Sequence, residues 1–112
     1  MVDDDDADPA YDDLEQVLAR AALSRGVRLY EEGDVISALS ALETAAQTAS
    51  VRCTAEAARG TIHLERGEWS DAVDAFIRAL RAPVATPVER DRIQNKLAAA
   101  NDRLPSRRRT AA

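Results

Sequence analysis

The amino-acid sequence predicts an all-α protein, a right-handed antiparallel stack of about five helices arranged as helical hairpins. The first observation is composition: hydrophobic residues make up 46% of the 112 residues but aromatic residues only 4%, because alanine supplies much of the apolar share. Alanine and leucine favour helices. The second observation is that no segment shows the alternating Val, Ile and Thr pattern of strands. The third is a spacing of 34 residues at which the same residue types recur.

The recurrence links residues 26–45 to residues 60–79 without an insertion or deletion. A fixed period of about 34 residues is typical of supersecondary units stacked side by side. The sequence therefore predicts two consecutive copies of one helical hairpin. The matched pairs are Gly26 and Gly60, Gly33 and Gly67, Ala38 and Ala72, Leu42 and Phe76, and Ala45 and Ala79.

Each matched pair predicts a place in the hairpin. Gly26 and Gly60 are expected inside a helix, where glycine costs about 1 kcal/mol relative to alanine, so we expect a partner helix to approach closely there. Gly33 and Gly67 are expected to end the first helix of each hairpin in a left-handed conformation. The alanine pairs predict points where helix backbones touch, and the leucine–phenylalanine pair predicts the large side chains packed between them.

Helix boundaries follow from capping residues and prolines. The first helix is predicted to start at Pro9, which suits a first helical turn, with a break near Ser24 as the alternative to a continuous helix. Asp34 and Ser70 are predicted to cap the second and fourth helices through their side-chain oxygens. The predicted helices cover residues 9–32, 35–48, 51–66, 69–82 and 87–103.

The fifth helix is predicted to close the stack as a capping helix. It opens with Thr86, Pro87 and Glu89, a capping box with proline at the first helical position. The opposite face of this helix is charged, as the end of a helical stack must be to remain in contact with water. The apolar face carries Ile93, Leu97, Ala100 and Leu104.

The segment GEWSDAVDAFIRALRAP, residues 67–83, resembles the tetratricopeptide repeat (TPR), a helix–turn–helix unit of about 34 residues. Two repeats, residues 19–52 and 53–86, match and cover roughly three fifths of the chain. The resemblance implies a TPR-like α-solenoid. The chain departs from the family pattern at Arg25 and Arg59, where the family has leucine, and at Leu29 and His63, where it has tyrosine.

Charge is unevenly distributed along the chain, whose net charge is −5. Eight acids and no base lie in residues 1–15, and four arginines and no acid lie in residues 103–112. Because such runs cannot bury apolar surface, we predict a disordered acidic tail over residues 1–8 and a disordered basic tail over 105–112, flanking a helical domain over 9–104. The middle of the chain is nearly neutral, so no nucleic-acid partner is expected.

The sequence contains no catalytic pattern and predicts a non-enzymatic protein without a cofactor or a metal. Cys53 and His63 are the only cysteine and histidine, so a zinc site lacks ligands. Ten residues along one helix would separate them by about 15 Å, too far for a catalytic pair. Cys53 is expected near a helix start, where a thiolate is favoured. His63 is expected to be a packed histidine.

The chain shows no sign of membrane targeting. No apolar run approaches the roughly 20 residues of a membrane-spanning helix. The N-terminus is acidic where a secretory signal would be basic and then apolar. We therefore predict a cytoplasmic protein with no membrane partner.

The family resemblance implies a function. Its members bind peptides or partner helices on the concave face made by the first helix of each hairpin, so we expect an adaptor or chaperone-like module for a protein or peptide partner. Glu31 and Glu65 would favour a basic or amphipathic partner, whereas Leu23 and Val27 argue against a carboxylate clamp. The alternative is a structural subunit that homo-oligomerises, for instance as a homodimer, through exposed helix faces. The expected partner-binding residues are Leu23, Val27, Tyr30, Glu31, Ala57, Thr61, Leu64, Glu65, Asp91 and Asn95.

Overall fold

The computed structural model describes residues 9–83 and 85–104, with side chains described from residue 13 onward. Within these residues the chain forms five α-helices and no strand, which confirms the predicted all-α fold. The predicted tails, 1–8 and 105–112, lie outside the described residues. The helices are α1 (Pro9–Glu31), α2 (Val35–Ala45), α3 (Ala49–Glu65), α4 (Trp69–Arg81) and α5 (Pro87–Asp102).

Helices that follow one another along the chain pack against each other. α1 packs on α2 and α3 packs on α4, so that two helical hairpins form, and α5 packs on α4. α3 also contacts α1 and α5, which places α1, α3 and α5 side by side in one layer and α2 and α4 in the other. These contacts are compatible with the predicted hairpin stack. No helix of the described residues has the length and apolar character needed to cross a membrane.

Both hairpin turns use a glycine in the left-handed conformation. Gly33 has a φ of 91° and Gly67 a φ of 76°, a region in which other residues are strained. In each turn, the N–H of the following residue donates a hydrogen bond to a carbonyl five residues upstream, at 2.9 and 2.8 Å. The prediction that these two glycines end the first helix of each hairpin is confirmed.

The two mid-helix glycines lie where a partner helix packs closely. A Cβ atom on Gly26 would lie 2.7 Å from Leu42 Cγ, and one on Gly60 would lie 2.6 Å from Phe76 Cε1. Leu42 and Phe76 are both fully buried. Each glycine therefore makes room for the large side chain of its own hairpin, as predicted.

The helix ends lie within three residues of the predicted ones, the largest difference being that α2 ends at Ala45 and not at residue 48, and one predicted cap differs. Asp34 Oδ1 accepts a hydrogen bond from the Ser37 N–H at 3.2 Å, which confirms the cap of α2. The predicted cap at Ser70 is wrong, because α4 begins at Trp69 and its N-cap is Glu68, whose side chain makes no capping bond. Since Glu68 lies 34 residues after Asp34, the repeat places the N-cap of both helices one residue after their turn glycine.

The long first helix and the capping helix form as predicted. α1 runs without interruption through Ser24. At the other end, the Thr86 side chain accepts a hydrogen bond from the Glu89 N–H at 3.2 Å and caps α5. Ile93, Leu97, Ala100 and Leu104 all pack in the cluster that contains Phe76.

Candidate functional site

Three neighbouring depressions on the face formed by α1, α3 and α5 join into one surface groove, which we call the α1–α3–α5 groove. Their volumes are about 430, 200 and 190 Å³. Ala58 of α3 lines all three, whereas Val27, Thr54 and Thr61 each line two. The remaining lining residues are Leu23, Ser24, Arg28, Tyr30, Glu31, Leu42, Ala57, Ile62, Glu89, Arg92, Ile93 and Lys96.

The structure brings part of the predicted binding set together in this groove. The residues of that set that line it are Leu23, Val27, Tyr30, Glu31, Ala57 and Thr61. Leu64 is half-buried and packs in the core cluster of Phe76 instead. Asp91 and Asn95 are exposed on α5 but do not line the groove, because the side of α5 that faces it carries the residues one position further on.

Tyr30 and Glu65 connect the two hairpins beside the groove. The Tyr30 hydroxyl donates a hydrogen bond to Glu65 Oε1 at 2.5 Å. This bond to the carboxylate raises the pKa of Tyr30, and desolvation and the negative charge of Glu65 add to the effect. Glu65 is therefore already engaged by α1, which leaves Glu31 as the exposed carboxylate of the α1 wall.

Charges of both signs line the groove, whereas the sequence led us to expect an acidic rim. Arg92 and Lys96 of α5 lie on the wall opposite Glu31, and Glu89 lies beside them. Lys96 Nζ donates a hydrogen bond to Thr61 Oγ1 at 3.0 Å, so its ammonium group is held across the α3–α5 boundary. The groove thus offers a cationic wall at α5 in addition to the carboxylate at α1.

The single cysteine is not the reactive thiolate that its place near the start of α3 suggested. Cys53 is 1% exposed and packs in the core cluster of Phe76. This burial raises the pKa of the Cys53 thiol, because the charged form loses its hydration. The expectation of a favoured thiolate is therefore wrong, and Cys53 contributes to packing.

The histidine forms a hydrogen bond with a carboxylate at the turn of the second hairpin. His63 Nδ1 lies 2.7 Å from Glu68 Oε1, and this bond lowers the pKa of Glu68. Asp71 is close enough that the three ligand atoms lie within 4.8 Å of one another, a spacing that a metal ion could use. However, Arg66 Nε lies 3.3 Å from Glu68 Oε2, and Asp71 sits in the first turn of α4, where the helix dipole is positive. Both charges disfavour a cation, so the hydrogen bond between His63 and Glu68 accounts for the cluster without a metal ion.

A second concave site lies on the other side of α3 and was not predicted from the sequence. We call it the arginine cleft; its volume is about 560 Å³, and α2, α3 and α4 line it. Arg52, Glu56 and Arg59 follow one another on α3 at spacings of four and three residues, which places them on one helix face. That stripe was visible in the sequence, but its partners on two other helices were not. The lining residues are Glu43, Ala46, Gln47, Arg52, Glu56, Arg59, Arg78, Arg81 and Ala82.

The buried carboxylate of Glu56 is the centre of this cleft. Its side chain is only 7% exposed, and its Oε1 accepts a hydrogen bond from Arg59 Nη1 at 3.0 Å and forms an ion pair with Arg78 Nε at 3.3 Å. Arg52 donates to the carbonyl oxygens of Ala46 and Gln47, at 2.8 and 3.2 Å, and so closes the end of α2. α3 and α4 are therefore joined by a charged network, not by apolar contacts alone.

Comparison of the chain with protein-family models, with curated proteins and with solved structures finds no match.

Proposed function

We propose that the protein is a non-enzymatic interaction module, a small adaptor or chaperone-like protein, that holds an amphipathic segment of a partner protein in the α1–α3–α5 groove. The observation that carries this proposal is the continuity of the groove over three helices. Its floor is largely apolar, with Val27 and Ala58 at its centre, and its walls carry charges of both signs. An amphipathic segment would bury its apolar side on such a floor and pair its charges with the walls.

The resemblance to the tetratricopeptide repeat supports the same function. Members of that family bind peptides or helices on the face made by the first helix of each hairpin, and α1 and α3 both line this groove. The proposal includes a cytoplasmic setting and neither a cofactor nor a nucleic-acid partner.

The proposal can be tested with two matched substitutions. Val27 is 43% exposed and lines the groove, whereas Ile36 is 83% exposed and lies on α2, outside it. A photo-activatable cross-linking residue at Thr54, on the groove floor, would capture the bound segment for sequencing. We expect Val27→Asp to weaken binding of that segment by about 10-fold or more and Ile36→Asp to leave it unchanged. Equal effects of the two substitutions, with helicity retained, would overturn the proposal.

A second candidate function is self-association through α1. Leu14, Val17 and Leu18 share one face of that helix and are 51%, 57% and 59% exposed. Exposed apolar stripes of this kind mark interaction surfaces, and a second copy of the chain would cover this one. Sedimentation over a range of concentrations separates the candidates, since a homodimer would dissociate on dilution. In that case Leu14→Ser with Leu18→Ser would give a monomer that still binds the partner segment in the groove.

A further inference from the structure

The arginine cleft is a surface that the proposed groove leaves unused. The cleft and the groove take opposite sides of α3: Arg52, Glu56 and Arg59 lie about half a turn away from Thr54 and Ala58, which line the groove. A ligand in the cleft would therefore contact none of the groove residues of α3. The two sites can be tested independently.

The cleft carries an excess of positive charge in a protein that is negative overall. Four arginines line it against two glutamates, whereas the whole chain has a net charge of −5. One of those glutamates, Glu56, is already shared by Arg59 and Arg78. Clefts lined by one sign of charge concentrate ions or segments of the opposite sign. The charge balance therefore predicts an anionic occupant.

The arginines of the cleft also have hydrogen-bond donors for which the described residues supply no acceptor. Arg59 Nε is buried and has no hydrogen-bond partner among the described residues. Arg52 donates two hydrogen bonds to backbone carbonyl oxygens. It forms no ion pair with a carboxylate of the described residues. Arg81 is exposed and makes no hydrogen bond or ion pair within that same part of the chain. Guanidinium groups in this state favour carboxylates, which they bind through two donors at once.

The chain itself supplies a run of carboxylates next to this cleft. Five of its residues 3–8 are aspartates. The start of α1 lies at the end of the molecule where the cleft opens, because Gln16 of α1 is bonded to Ser50, two residues before Arg52. From Gln16, α1 continues for seven residues to Pro9, about 10 Å at 1.5 Å per residue. Residues 3–8 then extend the chain by up to about 20 Å from Pro9, so the aspartates nearest the N-terminus have the longest reach towards the cleft.

From this placement we infer that the arginine cleft is a docking surface for an acidic peptide segment, and that residues 3–8 of the same chain are its occupant. In the docked state the aspartates would pair with Arg52 and Arg81 at the mouth of the cleft, while Glu56 holds Arg59 and Arg78. The contact is an exposed ionic one, so it exchanges with an undocked state and weakens as salt is added.

The test compares the full chain with a variant in which Asp3, Asp4, Asp5, Asp6 and Asp8 are all replaced by asparagine. These positions precede the described helices, so folding is expected to be retained, which circular dichroism checks. Nuclear magnetic resonance then follows the side-chain N–H signals of the arginines. The substitutions should shift the signals of the cleft arginines and leave Arg25 and Arg92 unchanged. About 1 M NaCl, where the screening length is about 3 Å, should produce the same shifts in the unaltered chain.

A substitution in the cleft provides the reciprocal test. Arg81→Gln should lower the ratio of docked to undocked tail by about two- to five-fold, as loss of one exposed ion pair predicts. Arg25→Gln, on the outer face of α1 and α2, is the matched control and should have no effect.

Three results would overturn the inference. Cleft signals that do not respond to the loss of the aspartates would show that the tail does not dock. Signals that respond only to added inorganic phosphate would assign the cleft to a different anion. Shifts that grow with protein concentration, together with a faster-sedimenting species, would show that the tail of a second copy is bound instead.

Discussion

The hairpin of α1 and α2 and the hairpin of α3 and α4 make the same contact at their centres but differ towards one edge. In both, a glycine receives the large buried side chain of the second helix, Leu42 on Gly26 and Phe76 on Gly60. Towards the edge, Glu56 of the second hairpin is 5% exposed and carries a charge, whereas its equivalent 34 residues earlier, Ala22, is apolar and 3% exposed.

The difference shows which positions the repeated backbone determines and which it leaves open. At the centre, the close approach of two helices requires glycine on one side, and either an aliphatic or an aromatic residue fills the space. At the edge, an equally buried position can hold a carboxylate, provided that arginines pair with it. Thr44 occupies the place equivalent to Arg78, so the first hairpin lacks one of the two arginines that pair with Glu56. The pair of arginines around a buried carboxylate thus occurs in the second hairpin and not in the first.

Removing the two central side chains should give the largest effects. Phe76→Ala is expected to lower the free energy of unfolding by about 3–5 kcal/mol and Leu42→Ala by about 2–5 kcal/mol, since both create a cavity in the core. Phe76 also packs with residues of α3 and α5, so its loss disturbs three helices. Urea unfolding, monitored through the loss of helicity, measures both changes in the free energy of unfolding. If Phe76→Leu, which installs the residue type of the first hairpin, cost as much as Phe76→Ala, the two centres would not be equivalent.

The buried carboxylate of the second hairpin should give the next largest effect. Glu56→Ala leaves a donor of the largely buried Arg59 unpaired near the core, and an unsatisfied buried donor costs about 1–3 kcal/mol. The control is Glu43→Ala in the same cleft, which should change stability by less than about 0.5 kcal/mol because Glu43 is exposed. Equal effects of the two substitutions would mean that the network around Glu56 does not stabilise the second hairpin.

The two glycines allow a finer comparison. Adding a Cβ at Gly60 would meet three atoms of the fully buried Phe76 ring at 2.6 to 2.9 Å, so we expect Gly60→Ala to destabilise the protein by about 1–3 kcal/mol. The higher helix propensity of alanine offsets about 1 kcal/mol of this. At Gly26 an added Cβ would meet two atoms of the smaller Leu42 side chain, at 2.7 and 2.8 Å, and the Ala38 carbonyl oxygen at 3.2 Å. Gly26→Ala should therefore cost less. The reverse order in urea unfolding would show that the aromatic ring adapts better than the leucine.

These contacts also show how much of the fold the sequence could predict. The paired glycines, the leucine–phenylalanine pair and the Asp34 cap are local signals, since each lies at a fixed position in a 34-residue unit. Ser70 was assigned as a cap because of its residue type, although the same period points to Glu68. In this chain the 34-residue period therefore predicts the start of a helix better than the type of a single residue does.

The candidate sites were less predictable, because they depend on how helices are rotated and which helices meet. On α5, the expected residues Asp91 and Asn95 are each one position from Arg92 and Lys96, which line the groove. One residue corresponds to about 100° of rotation, and a helix with charges on several faces does not fix that angle. Residues of three helices line the arginine cleft. The sequence shows these residues, but it does not show that the three helices come together.

The smallest expected effect concerns the two equivalent helix starts, Asp34 and Glu68. Asp34 caps its own helix, whereas Glu68 pairs with His63, and this bond lowers the pKa of Glu68 in the folded protein. A carboxyl group whose pKa is lower in the folded state stabilises the protein above its unfolded-state pKa, about 4.3 for glutamate. That contribution is lost as the pH falls through the lower, folded-state value. The melting temperature of Glu68→Gln should therefore lie slightly below that of the unaltered protein at pH 7, and the gap should close towards pH 3. A gap that stayed constant with pH would mean that the charge of Glu68 contributes nothing to the second turn.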